Sequence, residues 1–434
     1  MGRPVAAVLT LGCKLNIADS EEIAGGLRRA GFNVVDSLCE ADAFVINTCS
    51  VTHVADAKSR KLVRSARRLS PHATVTVTGC FPQSAGFEAA RELGADFVAG
   101  TGDADKMELV EFVAGARPAA PGSPAADALP GRTSPRAFIK AQEGCNDVCA
   151  FCIVPRTRGR ERSRSVERVA SLVDAAVAAG AKEVVITGTQ LGAWGRDLDP
   201  PLRPHHLIGG VLERTEAPRL RFSSLQPQDI TPELLALWQD PRVMPHFHLA
   251  LQSGSERTLA AMRRRYTAKE FLLAVERIRA AVPAVAITTD VIAGFPGETE
   301  ADFQETLDLC REAGFARLHC FPYSQRSRTT ANRLPGQLTP QAKKDRMARL
   351  LALGEELSLA FRRSQAGAIR PVLWESVRTT GSPRADNAET WYGHTDNYIP
   401  VYANAREAAG RITPVQLERV YHDGMWGTAP REAV

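Results

Sequence analysis

The chain has 434 residues, of which 44% are hydrophobic and 24% are charged, with a formal net charge of +5. These values are typical of a globular protein with two or three domains. Nine cysteines at irregular spacing argue against a disulfide framework, and no run of about 18 apolar residues predicts a membrane span. A cytoplasmic protein with no membrane association is therefore expected.

Residues 1–114 form the first predicted domain, because short apolar runs alternate there with helical patterns. Strands are predicted at 5–11, 43–47, 73–78 and 96–98, with a helix after each of the first three. The first helix is expected to begin at a cap formed by Asp19 or Ser20 and to end at residue 30. Strands that alternate with helices predict an α/β fold with a doubly wound parallel sheet.

Three cysteines of this domain occupy equivalent positions in successive βα units. Cys13, Cys49 and Cys80 each follow the carboxyl end of a predicted strand. Ligands bind at that edge of an open α/β sheet, so a site with three thiolates is predicted there. The alternative is three unrelated buried cysteines, which are common in protein cores.

A second set of cysteines lies on one short loop. Cys145, Cys149 and Cys152 have the spacing C-x3-C-x2-C. Three thiolates leave one position of a tetrahedral metal open, which a structural zinc site would fill with a nearby Cys or His. A 4Fe-4S cluster with one open iron fits better, and the adjacent Phe151 suits a small-molecule cofactor. A zinc knuckle and a chance group of core cysteines are the alternatives.

Residues 115–135 are rich in Pro, Ala and Gly and predict an extended linker to a central domain at 136–366. Strands are predicted there at 136–141, 183–188, 219–224, 246–251, 285–292 and 317–321, separated by amphipathic helices. Six βα units are too few for a closed eight-fold barrel and predict a partial (β/α)6 barrel. Functional groups are then expected at the carboxyl ends of the strands, where the chain is polar and rich in glycine.

The last domain, predicted at 367–434, consists of short apolar runs between turn residues and predicts a small β-barrel. Its aromatic residues could stack on single-stranded RNA, although such residues more often belong to a core. A basic segment in the central domain fits a phosphate-rich substrate or a simple solvated face. Its candidate RNA-binding residues are Arg158, Arg160, Arg162 and Arg164.

The run GCNDVCAFCIVPRTRGRERSR at 144–164 resembles the signature of radical S-adenosylmethionine (SAM) enzymes, and within them the methylthiotransferases. The resemblance spans the chain. LGCKLNIADSEE, VINTCSVT and VTGCFPQ are similar to the three auxiliary-cluster segments of that family. ITGTQLGAWG, HLALQSGS and TTDVIAGFPGETEADF are similar to its SAM-domain segments, and WYGHTDNY is similar to a run of its RNA-binding TRAM domain.

The resemblance implies two 4Fe-4S clusters and SAM as cofactors. It places one cluster on Cys145, Cys149 and Cys152, where SAM is cleaved to a radical, and an auxiliary cluster on Cys13, Cys49 and Cys80. No protein general base is assigned. The SAM contacts that it implies are Gln190, Ser224, Gln252, Ser253 and Asp290, and the RNA contacts of the TRAM-like domain are Thr395, Asn397 and Tyr398.

The implied reaction is methylthiolation of carbon 2 of adenosine 37, beside the tRNA anticodon. GCKLN at 12–16 and MRRRYT at 262–267 are most similar to the branch that acts on N6-threonylcarbamoyladenosine. Sibling branches act on isopentenyladenosine in tRNA or on an aspartate of a ribosomal protein. The partners implied are the tRNA anticodon loop and a flavodoxin-like or ferredoxin-like electron donor. A non-enzymatic RNA-binding protein with structural zinc sites is the distant alternative.

Overall fold

The computed structural model describes residues 3–115, 134–378, 390–404 and 409–430. Most of the predicted linker lies outside these described residues. No helix within the described ranges is both long enough and apolar enough to cross a bilayer.

The N-terminal domain is a five-stranded parallel sheet in the order β2-β1-β3-β4-β5. Side chains alternate along the strands, so Phe44 and Ile46 pack on one face while Ala43 and Val45 pack on the other. The doubly wound prediction is confirmed. The strands are β1 Val5–Thr10, β2 Asn33–Val35, β3 Ala43–Thr48, β4 Thr74–Gly79 and β5 Phe97–Val98. The helices are α1 Lys14–Arg29, α2 His53–Leu69, α3 Cys80–Ala85, α4 Phe87–Arg91 and α5 Asp103–Gly115.

The predicted start of the first helix is wrong. Helix α1 begins at Lys14, directly after Cys13, whose backbone is extended. The two expected caps instead lie inside the helix and are buried: Ser20 accepts a hydrogen bond from Thr10 at 2.7 Å, and Asp19 forms ion pairs. Asp19 and Ser20 therefore form polar contacts with other elements and do not cap the helix.

The central domain contains two four-stranded sheets, ordered β7-β6-β8-β9 and β10-β11-β12-β13. Only Ser223 separates β9 from β10, so the strand predicted at 219–224 is divided in two. The strands are β6 Arg136–Glu143, β7 Arg162–Ser163, β8 Glu183–Gly188, β9 Leu220–Phe222, β10 Ser224–Leu225, β11 His246–Leu249, β12 Ala286–Ala293 and β13 Arg317–Pro322. The helices are α6 Val154–Thr157, α7 Val166–Ala178, α8 Pro204–Arg214, α9 Pro232–Ala236, α10 Glu256–Ala261, α11 Ala268–Ala281, α12 Glu300–Ala313 and α13 Pro340–Ser364.

The strands of the central domain are apolar on one side and polar on the other. Val184, Phe247 and Val291 belong to one large core cluster that includes residues of the surrounding helices. The alternate positions carry charged or titratable groups, such as Glu183, His248 and Asp290. These strands therefore present a polar interior in which a polar ligand can be held.

The C-terminal domain is a closed barrel in the order β14-β15-β16-β18-β17. Its core includes Trp374, Val401 and Met425. The long strand at Ile412–Tyr421 has a register shift between Leu417 and Arg419. The strands are β14 Ile369–Arg378, β15 Thr390–Thr395, β16 Pro400–Ala403, β17 Ile412–Tyr421 and β18 Gly424–Thr428.

Candidate active site

The first group of cysteines lies on a tightly folded loop between β6 and α6. Gly144 opens the loop with φ +76°, and a Cβ there would lie 1.9 Å from the carbonyl oxygen of Arg160. The N–H of Cys145 donates to the carbonyl of Gly159 at 3.1 Å. Residues 144–145 and 159–160 are thus held against each other, which closes the cysteine loop at its base.

Each thiol of this loop faces a hydrogen-bond donor. The Asp147 N–H lies 3.4 Å from the Cys145 sulfur, and the Val154 N–H lies 3.4 Å from the Cys152 sulfur. Burial raises the pKa of Cys145 to about 11 and that of Cys152 to about 12. Donors aimed at sulfur suit a metal-bound thiolate, whose charge they stabilise, so the donor set fits a thiolate-ligated cluster.

Arg264 supplies the donor for the third thiol, and the sequence reasoning had not assigned it a role. Its Nη1 lies 3.2 Å from the sulfur of Cys149, and its Nε lies 3.1 Å from the hydroxyl of Tyr266. The carbonyl of Met262 accepts the Ala150 N–H at 2.9 Å. Residues 262–266 therefore support the cysteine loop. The run of three arginines at 263–265 was the sequence feature that could have indicated this role.

Gly144→Ala should reduce the amount of iron that the reconstituted protein retains. The left-handed backbone of Gly144 disfavours a side chain, and the added Cβ would collide with the backbone of Arg160. Gly159→Ala is a matched control: Gly159 has φ +75° and nothing within 4 Å of the Cβ position. Iron and sulfide analysis after anaerobic reconstitution compares the two variants. Equal iron retention would show that the close approach at Gly144 is not needed to shape the loop.

The second group of cysteines lies at the carboxyl edge of the N-terminal sheet. Cys49 and Cys80 directly follow β3 and β4, and Cys13 lies three residues after the end of β1. A Cβ at Gly12 would lie 2.9 Å from Cys49 Cβ, so the first two segments touch. Burial raises the pKa of Cys80 to about 11 against the opposing charge of Arg158, and the nearby thiols of Cys13 and Cys49 act in the same direction as burial. The three strand-end cysteines therefore lie along the same edge of the sheet.

A buried arginine connects the two groups of cysteines. Arg158 follows α6, is 3% exposed, and places Nη1 2.9 Å from both Asp19 and Glu143. Its Nη2 donates to Asn16 Oδ1 at 2.6 Å. The Asn16 amide donates in turn to the carbonyls of Leu11 at 2.7 Å and Thr48 at 2.9 Å, beside the segments that carry Cys13 and Cys49. The cysteine loop of the central domain is thereby tied to the cysteine edge of the first.

This arrangement corrects part of the predicted RNA-binding segment. Arg158 is enclosed, and Arg164 forms ion pairs with Glu22 and with Asp103. Ion pairs between domains use these two charges, so they are not free for phosphate. Arg160 and Arg162 are exposed.

The residues predicted to contact SAM lie along the strand ends but differ in availability. Ser253 is fully buried, and its hydroxyl lies 3.2 Å from that of Thr306. Gln190 is buried, and within the described residues its amide nitrogen has no hydrogen-bond partner. Gln252 has φ +69°, and it pairs with β12 through hydrogen bonds on both sides. Ser224 and Asp290 are half-buried.

Histidines surround Asp290 in the polar interior. His248 Nε2 lies 3.2 Å from Asp290, and its Nδ1 lies 3.0 Å from the Thr288 hydroxyl. Although burial favours the neutral carboxyl, the hydrogen bond from His248 and its charge lower the pKa of Asp290. Burial lowers the pKa of His246 well below its ordinary value and that of His319 to about 4. His246 and His319 are therefore neutral near pH 7.

Lys14 of the first domain is half-buried and lies near the charged groups of this interior, and sequence reasoning missed it as a site residue. The charges that act on its ammonium belong to Arg221, Arg136, Asp290 and Glu183, on four strands of the central sheets. Burial, followed by the two arginines, lowers the pKa of Lys14 to about 8. Among the described residues no hydrogen bond or ion pair of Lys14 is found, so a ligand group could pair with it.

The predicted RNA contacts of the barrel domain are mostly internal. Thr395 and Asn397 are fully buried; the Thr395 hydroxyl donates to Asn397 Oδ1 at 2.7 Å, and Asn397 Nδ2 donates to the Ala284 carbonyl at 3.1 Å. These two residues shape a turn against the central domain, which overturns their assignment to RNA. Tyr398 is half-buried, with the Arg221 guanidinium 4.6 Å from its ring centroid.

Within the described residues, no three His, Cys, Asp or Glu side chains converge tightly enough to hold one metal ion. The assignment of clusters therefore depends on the chemistry of the two thiol groups and on relatives.

Two family models match the chain. Residues 139–310 match the Radical SAM superfamily, and residues 6–100 match Uncharacterized protein family UPF0004. The fold agrees: the radical SAM methyltransferase TsrM from Kitasatospora setae has a TM-score of 0.55 at 15% identity, covering 88% of this chain and 80% of that one. The central domain is thus that of a radical SAM enzyme.

Curated relatives identify the family. Threonylcarbamoyladenosine tRNA methylthiotransferase MtaB of Bacillus subtilis is 35% identical over 96% of this chain and 95% of its own. The tRNA-2-methylthio-N(6)-dimethylallyladenosine synthase of Syntrophomonas wolfei is 35% identical over 97% and 96%. This chain belongs to the radical SAM methylthiotransferase family, as the sequence resemblance predicted. A 4Fe-4S cluster and SAM follow from that membership.

Proposed function

We propose that this enzyme methylthiolates carbon 2 of N6-threonylcarbamoyladenosine at position 37 of tRNA, using two 4Fe-4S clusters. The observation that carries the proposal is the pair of three-cysteine groups joined by the buried Arg158. One group alone would serve radical formation but would leave no second thiolate site for the sulfur chemistry.

The residues of the chain divide this work between them. When bound, the clusters and SAM supply the one-electron chemistry, the sulfur and the methyl group. Cys145, Cys149 and Cys152 would hold the cluster that binds SAM, with Arg264 supporting the thiolate of Cys149. Phe151 packs against an apolar cluster that includes Phe295 and Tyr323, which helps to exclude water beside that site. Cys13, Cys49 and Cys80 would hold the auxiliary cluster.

Lys14 favours the threonylcarbamoyl substrate over the dimethylallyl substrate of sibling enzymes. A threonylcarbamoyl group carries a carboxylate, whereas a dimethylallyl group is wholly apolar. The Lys14 ammonium has no partner among the described residues. It can pair with the carboxylate of a threonylcarbamoyl group but would be left without a partner beside a dimethylallyl group. Lys14 directly follows Cys13, so such an interaction would lie next to the candidate auxiliary site.

Lys14→Gln should lower kcat/KM for an anticodon stem-loop carrying threonylcarbamoyladenosine by about tenfold or more, the size of one hydrogen bond to a charged group. Lys14→Arg retains the cation and should keep most of the activity. Steady-state kinetics with this substrate and with one carrying dimethylallyladenosine provide the measurement, with iron content as a check on cluster loading. An equal loss on both substrates would remove Lys14 as a determinant of specificity.

The remaining parts of the proposal concern partners and domain identity. The two contiguous central sheets support a partial (β/α)6 barrel, and the closed C-terminal barrel supports a TRAM-like domain. The exposed Arg160 and Arg162 remain candidates for phosphate contacts, and Tyr398 for an RNA contact. A flavodoxin-like or ferredoxin-like protein would supply electrons. Gln190, Ser224, Gln252, Ser253 and Asp290 remain candidate SAM contacts.

Nucleoside mass spectrometry tests the function directly. Reconstituted enzyme, SAM and reductant are incubated with tRNA that carries threonylcarbamoyladenosine, and the expected product is its 2-methylthio derivative. If SAM is cleaved but this nucleoside is unchanged, isopentenyladenosine in tRNA is the next substrate to test, followed by an aspartate of a ribosomal protein. Absence of SAM cleavage in iron-loaded protein would contradict the enzyme assignment itself.

A further inference from the structure

Helix α2 is the most basic element of the N-terminal domain and has no role in the site described above. Its 17 residues include Lys58, Arg60, Lys61, Arg64, Arg67 and Arg68. Its single acidic residue, Asp56, is neutralised by Arg326, whose Nη1 lies 2.6 Å away. The helix therefore presents positive charge with no internal compensation along most of its length.

These charges line a groove instead of being spread around the helix. An open surface cavity of about 750 Å³ is lined by Leu93 and by residues of α2, among them Arg60, Lys61, Arg64, Arg67 and Arg68. Residues three and four apart share one helix face, which explains why these positions meet. Arg67 is already held by Asp96 and by the carbonyl of Gly94. Lys61, Arg64 and Arg68 are exposed, and within the described residues none of them forms an ion pair.

The groove begins beside the candidate auxiliary site. Helix α2 starts four residues after Cys49. The Arg60 guanidinium lies 5.4 Å from the ring centroid of Phe81, the residue that follows Cys80. Seventeen helical residues extend about 25 Å. A polyanion whose one end reaches the strand-end cysteines could therefore follow the groove outward.

We propose that the α2 groove binds the phosphate backbone of the tRNA anticodon stem while nucleotide 37 occupies the active site. The inference rests on the proposed tRNA substrate and adds the surface that holds it. Duplex RNA is bound mainly through its phosphates and 2′-hydroxyls, which guanidinium and ammonium groups suit. The groove adds to the charge of the predicted basic segment, in which Arg158 and Arg164 are used internally and Arg160 and Arg162 are exposed.

The test compares two triple variants of the full-length, cluster-loaded protein. Lys61→Gln/Arg64→Gln/Arg68→Gln removes the three groove charges. Lys269→Gln/Arg277→Gln/Lys344→Gln removes three exposed charges on α11 and α13 and is the matched control. Binding of a fluorescent anticodon stem-loop is measured by anisotropy across a salt series, and SAM cleavage without RNA is measured in parallel.

The groove variant should bind the stem-loop about tenfold or more weakly, and the slope of log affinity against log salt should fall in magnitude by about 2–3 for three lost phosphate contacts. SAM cleavage without RNA should be unchanged. Equal affinity and salt slope for the two triple variants would overturn the proposal, provided that the wild type binds and methylthiolates tRNA. Failure of the wild type to modify any tRNA would instead refute the proposed function.

Discussion

Replacement of Cys149 by alanine should abolish cleavage of SAM, whereas replacement of Cys49 should leave cleavage intact and abolish methylthiolation. Cys149 belongs to the loop whose three thiols would hold the SAM-binding cluster, with Arg264 3.2 Å from its sulfur. Cys49 belongs to the strand-end group of the N-terminal sheet. Loss of a ligand should reduce product formation more than about 100-fold, since even changes to residues behind a metal ligand cost 10–100-fold. 5′-Deoxyadenosine and the methylthio nucleoside are quantified by mass spectrometry in the same reaction.

Cys39→Ala is the control for these variants. Cys39 is half-buried and lies outside both groups of cysteines, so its removal should change neither product. If the Cys149 and Cys49 variants both still methylthiolate RNA, the assignment of two clusters is wrong. If both lose SAM cleavage, the two sites are not separable and the division of labour between them fails.

The sequence was sufficient to predict features set by local patterns. The alternation of apolar runs and helices predicted the parallel sheet of the first domain, and the position of each cysteine after a strand predicted that Cys13, Cys49 and Cys80 share one edge. The loop of Cys145, Cys149 and Cys152 is a local motif and needs no long-range information. Such features follow from chain geometry within one βα unit.

Features that depend on distant partners could not be predicted in the same way. In the basic segment, Arg160 is exposed while Arg158 is enclosed, because carboxylates from α1 and β6 meet Arg158. Asn397 resembled an RNA contact by its motif, yet it turns inward to the carbonyl of Ala284. Lys14 gave no separate signal, since its surroundings come from strands more than 100 residues away. The surroundings of Arg158, Asn397 and Lys14 are all set by contacts between domains, which local sequence periodicity does not encode.

Arg158→Ala should destabilise the protein by about 3–5 kcal/mol, the cost of removing one partner from a buried ion pair. Asp19 and Glu143 would lose a partner 2.9 Å away and remain enclosed. Burial alone would raise the pKa of Asp19, but the charges of Lys140, Arg158 and Lys106 hold that pKa well below its usual range. A carboxyl whose pKa is lower in the folded state than in the unfolded state stabilises the fold above the unfolded pKa, which is near 4. This stabilisation is lost as the pH falls through the folded pKa. The unfolding midpoint in urea is measured at pH 7 and again near pH 3, below the unfolded pKa of Asp19, where the difference between the variant and the wild type should shrink.

Arg160→Ala is the matched control, because this exposed neighbour should change stability by less than about 0.5 kcal/mol. Arg158 also binds Asn16, which fixes the carbonyls of Leu11 and Thr48 beside the auxiliary cysteines. Where the Arg158 variant remains folded, it should therefore form less methylthio nucleoside for each SAM cleaved, because the radical site is intact and the sulfur site is displaced. A role confined to stability predicts an unchanged ratio of the two products. The ratio thus separates an arginine that only holds two domains together from one that also sets the geometry between their cysteines.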